Sequence, residues 1–388
     1  MFMEHLNIAL IGCGGIAAGK HIPGILATPG TRIVGLCDTN EGRIDALLST
    51  ISKLDHPRFN EVEGAPRFPH CTRMLQEIGD EIDVVVICTP NNSHAPIAIA
   101  MMAEGKHVVC EKPMAENPEN AIAMCAAARK YDRKLHIGYQ GRFRRDSLFA
   151  KAMAKAGEFG RYEYVNALAI RRCAVPTWGV FLDKEAQGGG PLIDIGTHAL
   201  DLALSITGDY NPRFISAMAY QGKGKAPIIG NPWGPWDAEQ YQFEDAVIGT
   251  VITESGMTIN LTASWIAHNM TSEEAIVNIW GSKAGINMQD GLHVMHNWHG
   301  EMATTRIELD PSGVAFYDPS FQKKPHELET QSWVSAIVNG TDLIVKPEEA
   351  LVVSVVLDAM YRSAAQGGRQ IELDMEHIMA KVDALAAV

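Results

Sequence analysis

The sequence has no apolar run of the roughly 20 residues needed to cross a bilayer, so no segment reads as a membrane span. It has no C-x-x-C pair and no cysteine beyond Cys173. The seven cysteines, Cys13, Cys37, Cys71, Cys88, Cys110, Cys125 and Cys173, are odd in number and stand in apolar runs, so they read as reduced, buried thiols. Positive charge is scarce as well. Lys and Arg number 33 against 46 Asp and Glu, a formal net charge of -13. Binding to a phosphate backbone rests on clustered Lys and Arg, so nucleic acid is not the expected partner. The short run of Arg142, Arg144 and Arg145 reads as ion pairs or one small site. The apolar segment near the N-terminus lacks a basic flank and continues into glycines and a helix pattern, unlike a secretion signal. A cytoplasmic location is the default expectation, and no internal repeat or low-complexity tract is visible.

What is present is material for a large core. The chain has 388 residues, of which 46% are hydrophobic and 20% charged, which suggests two ordinary globular domains. Up to about Gln140, short runs rich in Val, Ile and Cys predict buried strands at residues 7–11, 32–37, 83–88, 107–110 and 134–138. Helix patterns at 17–26, 41–48, 95–104 and 117–131 alternate with them. That rhythm predicts βαβ units, and so a doubly wound parallel sheet of the Rossmann kind over residues 1–141. Beyond Arg142 the rhythm changes. A helix pattern at 147–156 precedes an alternating strand at 161–171, and a second helix follows Gly188-Gly189-Gly190. Extended segments then come in succession at 213–220, 242–253, 258–266, 275–280, 292–298 and 304–309. Strands without intervening helices predict a mainly antiparallel, open sheet in a second α/β domain, residues 142–388. Helix patterns at 327–338, 347–365 and 375–386 close the chain.

The first strand runs into Gly12-Cys13-Gly14-Gly15-Ile16-Ala17, a G-x-G-x-x-A turn that opens a helix. Gly12 permits the tight turn, Gly14 lets the backbone approach a pyrophosphate, and Ala17 allows close packing of helix on strand. The helix N-terminus offers free N–H groups and a positive dipole end to phosphates. Asp38, at the end of the next strand, stands where an acidic residue accepts bonds from ribose hydroxyls and repels a 2′-phosphate, which favours NAD over NADP. Thr39 borders the same corner, and nearby Arg43 is the one feature that could favour a phosphate. Ligands of such sheets lie beyond the carboxyl ends of the strands, so Thr89, Pro90 and Asn91 are candidate cofactor contacts. His94 reads equally well as a cofactor contact or as a cap of the following helix.

The next strand ends at Glu111-Lys112-Pro113, which points Lys112 into the crevice where a nicotinamide would sit. Its ammonium can donate a hydrogen bond to an alcohol oxygen and stabilise developing alkoxide character. A second constellation follows Pro191: Asp194 and His198 are four apart and share one face of a helix, with Asp201 a turn further on. Such a polar stripe on an apolar helix is expected to face a cleft. Histidine is the side chain best poised to exchange a proton near neutral pH, and a neighbouring carboxylate can fix its tautomer. The recurrence of His293, His296 and His299 imitates a metal triad. In a strand-and-turn segment a spacing of three alternates faces, and no Cys or carboxylate completes a ligand set, so no metal is expected. The segment 221–240, rich in Gly and Pro and carrying Trp233 and Trp236, reads as a long ordered loop. Its indoles either pack on the sheet or a neighbouring subunit, or form an aromatic lid near the substrate.

Taken together, the glycine turn, the Thr-Pro-Asn loop, Glu-Lys-Pro and the Gly-Gly-Gly-Pro followed by Asp-x-x-x-His resemble the Gfo/Idh/MocA oxidoreductase family. The resemblance covers roughly the whole chain. It implies a hydride transfer between NAD(H) and a secondary hydroxyl of a sugar, glycoside or cyclitol, such as the 3-position of a glucoside. By the same resemblance, Lys112 matches the family lysine, Asp194 its acidic substrate-site residue, His198 its acid/base, and Pro113 a proline that is often cis. Glu111 and Gln140 join the expected cofactor contacts. Arg142, Arg172 and Trp178 become candidate substrate contacts, because 139–143 and 171–178 resemble loops that border nicotinamide and substrate. Gly141 departs from the pattern, standing where relatives often carry a larger side chain. The open sheet implies a homo-oligomer, a dimer or tetramer. Two other readings belong to different classes: an enzyme that cleaves glycosides through transient oxidation by bound NAD, and a non-catalytic sugar or dinucleotide sensor. Lys112 and His198 together argue against the sensor.

Overall fold

A computed structural model describes residues 5–226, 230–309 and 323–388. Strands β1 (Leu6–Ile11), β2 (Thr31–Cys37), β3 (Arg67–Phe68), β4 (Val84–Ile87), β5 (His107–Cys110) and β6 (Leu135–Ile137) form one sheet in the order β3-β2-β1-β4-β5-β6. Every pairing in it is parallel. This is the strand order of a doubly wound dinucleotide-binding fold, whose ligand crevice opens between β1 and β4. Alternate residues of each strand feed two separate faces. Ala9, Ile11, Val85 and Ile87 pack with Ala98, Met102, Ala121 and Cys125 of helices Asn91–Ala103 and Pro118–Lys130. Ile8, Leu10, Val84 and Val86 pack instead with Ile22, Ile25, Leu47 and Ile51. Trp333 and Val334 of helix Pro325–Val338, far along the chain, close this second face.

The second sheet has nine strands: β7 (Tyr162–Ile170), β8 (Pro212–Tyr220), β9 (Ala246–Thr253), β10 (Thr258–Ser264), β11 (Glu273–Gly281), β12 (Ala284–Asn287), β13 (Leu292–Trp298), β14 (Glu301–Ile307) and β15 (Ile371–Glu372). Their order is β14-β13-β12-β11-β7-β10-β9-β8-β15. All pairings are antiparallel except β7 with β10, which is parallel. The pattern that predicts an antiparallel sheet is therefore right in bulk. It misses that one pairing because β7 is far from β10 in sequence. Helices Thr197–Thr207 and Pro347–Ala365 cover the inner face, where Val165, Ala167, Val251, Ile259, Leu261 and Val277 are fully buried. The outer face carries exposed Met218, Ile248, Ile252 and Trp280. Among the described residues, no helix is long and apolar enough to cross a membrane.

Two helix starts are wound more widely than an α-helix. Ala17–His21, after the glycine turn, and Leu192–Gly196, after the second glycine run, are both π-helical. Such segments appear mostly as single turns and often at functional sites. The second one carries Asp194, and its Gly196 lies against Ala263 of β10, where an added Cβ would come within 3.0 Å. Lys112, just past β5, and Tyr139, just past β6, reach this stretch of helix at Asp194 and Thr197.

Candidate active site

The dinucleotide turn is built around Gly12, whose φ of +91° suits glycine and whose added Cβ would come within 2.6 Å of the Cys88 carbonyl oxygen. Gly14 and Gly15 are the opposite case. A Cβ on either would meet no protein atom, so the turn is open on the side where a pyrophosphate would rest. Ile16 is half-buried and Ala17 fully buried, as helix-on-strand packing requires. The Asp38 carboxylate accepts from the Cys13 N–H (2.8 Å) and the Asn40 N–H (2.9 Å), which ties the turn to the end of β2. Thr39 and Arg43 stand exposed beside it. These residues fit a dinucleotide.

The Thr89 loop is braced from within. Ser93 Oγ donates at 2.6 Å toward both Thr89 Oγ1 and the Pro90 carbonyl. Asn91 Nδ2 reaches across to the Gln187 carbonyl and Gln187 Oε1, both at 2.9 Å, joining this loop to the segment before the second glycine run. His94 is buried, with its ring nitrogens 2.9 Å from the Pro113 and Thr89 carbonyls. It thereby joins the Thr89 loop to the Lys112–Pro113 corner, and the helix that it stands in has no side-chain cap. The Lys112–Pro113 peptide is cis.

From that corner Lys112 Nζ donates to the Asp194 carbonyl (2.8 Å) and to Asp194 Oδ1 (3.1 Å). Trp265, just past β10, donates its indole N–H to Asp194 Oδ2 at 2.9 Å, and Arg171 Nη1 stands 3.6 Å from the same oxygen. Burial alone would raise the Asp194 carboxyl; Lys112, Arg171 and the indole outweigh it and hold the group below its ordinary range. His198 lies next along the helix, half-buried and edge-on to Tyr139 with ring centroids 6.3 Å apart. Burial, then the Lys112 charge, pushes its imidazole down to about 3. An imidazole that stays unprotonated near neutral pH therefore stands beside a fixed ammonium–carboxylate pair.

Comparison with known proteins agrees with this geometry over both halves of the chain. Residues 6–139 match the Gfo/Idh/MocA oxidoreductase family's NAD-binding Rossmann fold, and residues 151–373 match its C-terminal alpha/beta domain. The chain belongs to the Gfo/Idh/MocA oxidoreductase family. It is 30% identical to D-glucoside 3-dehydrogenase of Escherichia coli (strain K12) over 374 residues, covering 95% of this chain and 98% of that protein. Inositol 2-dehydrogenase of Rhizobium meliloti (strain 1021) is 24% identical over 332 residues, 86% of this chain and 93% of that one. Levoglucosan dehydrogenase in complex with NADH and L-sorbose shares the fold with a TM-score of 0.78 at 21% identity, covering 96% of this chain and 99% of that one. This Gfo/Idh/MocA protein is an NAD-dependent oxidoreductase.

Several expected site residues of this oxidoreductase lie elsewhere. Arg142 is buried, and its guanidinium donates to Asp201, to Glu349 and to the Ile344 carbonyl. It forms a buried ion pair, one of the two readings that the arginine run allows, and Asp201 is fully buried as its partner. Arg172 is exposed, and the strand alternation that turns it outward turns Arg171 inward to Asp194. Gln140 is half-buried at the turn after β6. Glu111 faces the protein: its Oε1 is 2.7 Å from His21 Nε2, and its Oε2 accepts from the Lys112 N–H at 3.1 Å. Burial opposes both charges of this pair, yet Cys88 and Glu111 hold His21 well above its ordinary value, and His21 with Lys112 holds Glu111 below its own. His21, Trp265 and Arg171 escape sequence reasoning; the one available signal for His21 is a polar residue on the buried side of the first helix. His293 and His296 alternate along β13, and His299 follows in the turn with φ +51°. Trp236 packs against the core and donates to the Gly224 carbonyl (2.7 Å), whereas Trp233 stands 41% exposed against Trp178, which is 47% exposed.

Proposed function

We propose that this oxidoreductase removes a hydride from a secondary C–OH of a sugar, glycoside or cyclitol, or returns one to the ketone. The observation that carries this reading is the half-buried His198 one helical turn beyond Asp194, whose carboxylate is held 3.1 Å from Lys112 Nζ. Substrates of the curated relatives, a glucoside and an inositol, support the chemical class. When bound, NAD supplies the ring that accepts the hydride; Gly12 to Ile16, Asp38 and the Thr89–Asn91 loop are the residues that would hold it. In oxidation the alcohol carbon loses its hydride and the alcohol oxygen loses its proton, which His198 Nδ1 or Nε2 accepts. Lys112 donates to the same oxygen as its negative charge grows. Asp194 holds Lys112 in place and accepts from a neighbouring hydroxyl. Trp265 and Arg171 keep Asp194 ionised and fixed for that task.

We also infer that the exposed outer face of the nine-stranded sheet is covered by a second copy of the chain. The register places Met218, Ile248, Thr262 and Leu168 in one row and Phe214, Ile252, Thr258, Tyr164 and Trp280 in another, with a polar Thr250–Asn260–Asn166–Asn278 row between them. The exposed Met218, Ile248, Ile252 and Trp280 in these rows suit a self-complementary interface. The seven free thiols fit a reducing, cytoplasmic setting. The test of the catalytic reading is purified protein with NAD and a panel of sugars, glycosides and cyclitols, following reduced nicotinamide together with the sugar products. Formation of a keto-sugar with equal NADH supports it. Redox-neutral cleavage of a glycoside, or no product from any member of the panel, overturns it.

A further inference from the structure

Two indoles stand outside the catalytic cluster yet are wired to it. Trp178 and Trp233 meet edge-on at 4.5 Å, 74° apart, and each remains more than two-fifths exposed. Trp265 and Trp333, by contrast, are fully buried, as indoles that serve the core usually are. The segments that present the exposed pair are pinned. Asn231 Oδ1 accepts from the Val175 N–H at 2.9 Å while its Nδ2 donates to the Val175 carbonyl (3.0 Å) and the Gly234 carbonyl (2.7 Å). Thr177 Oγ1 donates to the Trp233 carbonyl. The Ala174 N–H donates to the Trp265 carbonyl at 3.0 Å, so the Trp178 segment hangs from the residue that also holds Asp194. Arg171 completes the connection. Its guanidinium lies over the Trp233 ring at 5.3 Å and reaches to 3.6 Å from Asp194 Oδ2.

Two loops are fixed so firmly that a pair of aromatic rings keeps more than two-fifths of its surface facing outward, a surface that the fold itself does not use. An aromatic face gains more from a flat ligand, and the apolar C–H face of a sugar ring is one. We propose that Trp178 and Trp233 form a subsite for the second ring or aglycone of a glycoside whose first ring reacts at Lys112 and His198. The inference rests on the proposed sugar-oxidising reading and narrows its substrate class from any sugar or cyclitol to a glycoside. Arg171, over the Trp233 ring and near Asp194, links this subsite to the reacting centre. Glu274, joined to Arg171 at 2.5 Å and half exposed, offers an acceptor to hydroxyls at the rim.

The test uses the full chain with NAD and three glycosides sharing one reacting ring: a methyl glycoside, a phenyl glycoside and a disaccharide. For Trp233→Ala and for Trp178→Ala, KM for the phenyl glycoside and the disaccharide should rise roughly tenfold, the scale of one aromatic stacking contact, with kcat kept and the methyl glycoside shifted less than about twofold. Trp233→Phe should recover most of the loss. Quenching of indole fluorescence by the same glycosides reads the subsite without turnover. Oxidation of all three with unchanged KM values in the variants overturns the subsite and leaves the catalytic reading standing. Quenching by the disaccharide that is lost in Trp233→Ala, without oxidation of any glycoside, supports the subsite and overturns the catalytic reading. Neither quenching nor oxidation overturns both.

Discussion

At the scale of single residues, the site is an arrangement of charges around one neutral ring. Lys112 lends its charge to Asp194 and, with burial, keeps His198 unprotonated; in the proposed reaction the same charge would favour the alkoxide. General acid–base catalysis contributes a factor of about 100 to 10,000, and one stabilising donor about 100 to 1,000. His198→Asn and Lys112→Met should each lower kcat by at least about a hundredfold while leaving NAD binding near normal. Steady-state kinetics beside NAD titration checks both. The depressed imidazole also has a stability signature. Its folded value is about 3 against an ordinary 6.5, so its contribution is complete above 6.5 and is lost as pH falls from there toward about 3. Melting temperatures of His198→Asn should therefore fall less over that interval than those of the wild type; parallel curves would contradict the assignment. Asp38 is the cofactor's counterpart. Asp38→Ser should weaken NAD binding, narrow the preference over NADP and loosen the glycine turn, since Asp38 also takes the Cys13 N–H. Tighter binding of NADP than NAD by the unaltered protein would show that Arg43 governs that corner.

Elements carry these residues to one place, and here sequence and structure part company in instructive ways. The parallel sheet, the glycine turn and the positions of Lys112, Asp194 and His198 are legible, because periodicity and motif spacing are local signals. Side-chain partners across the fold are not. Arg142 reads in sequence as an ion pair or as a site cation, but the partners it pairs with, Asp201 and Glu349, the latter 207 positions away, are not legible there. Arg171 and Arg172 are indistinguishable until the end of β7 is fixed and alternation sends one inward. The π-wound starts at Ala17–His21 and Leu192–Gly196 leave no mark in the hydrophobic pattern. Strands β12 and β15, of four and two residues, are too short to show a period. The first π-helix ends at His21, whose side chain, 7% exposed, meets Glu111 at 14%. Breaking a buried pair by removing one partner costs about 3–5 kcal/mol. His21→Asn should lose about that much in urea unfolding, and adding Glu111→Gln should restore part of it. An unchanged midpoint would mean that the pair contributes nothing to joining the cofactor helix to the lysine strand.

For the whole molecule, the two sheets have unequal fates. The parallel sheet is covered on both faces, partly by helix Pro325–Val338 returning from the far end of the chain. Among the described residues, helices cover one face of the nine-stranded sheet, and its other face exposes Ile248 at 49% and Trp280 at 60%. That imbalance underlies the proposed association. The wild type should sediment as a dimer or tetramer, and Ile248→Asp, with a charge set into an apolar row, should yield a smaller species with unchanged secondary structure. A wild type that sediments as a monomer at micromolar concentration would remove the proposal.

Hydride removal at a carbinol carbon is read most directly by isotope. A glycoside carrying deuterium on the reacting C–OH carbon, mixed with excess protein and NAD in a single turnover, should place the deuterium on the reduced nicotinamide and leave a keto-sugar, with the light substrate reacting faster. His198→Asn should slow the same transfer without diverting the label. Deuterium retained in the sugar, or released to water while a glycosidic bond breaks, would contradict hydride transfer as the net reaction of this site.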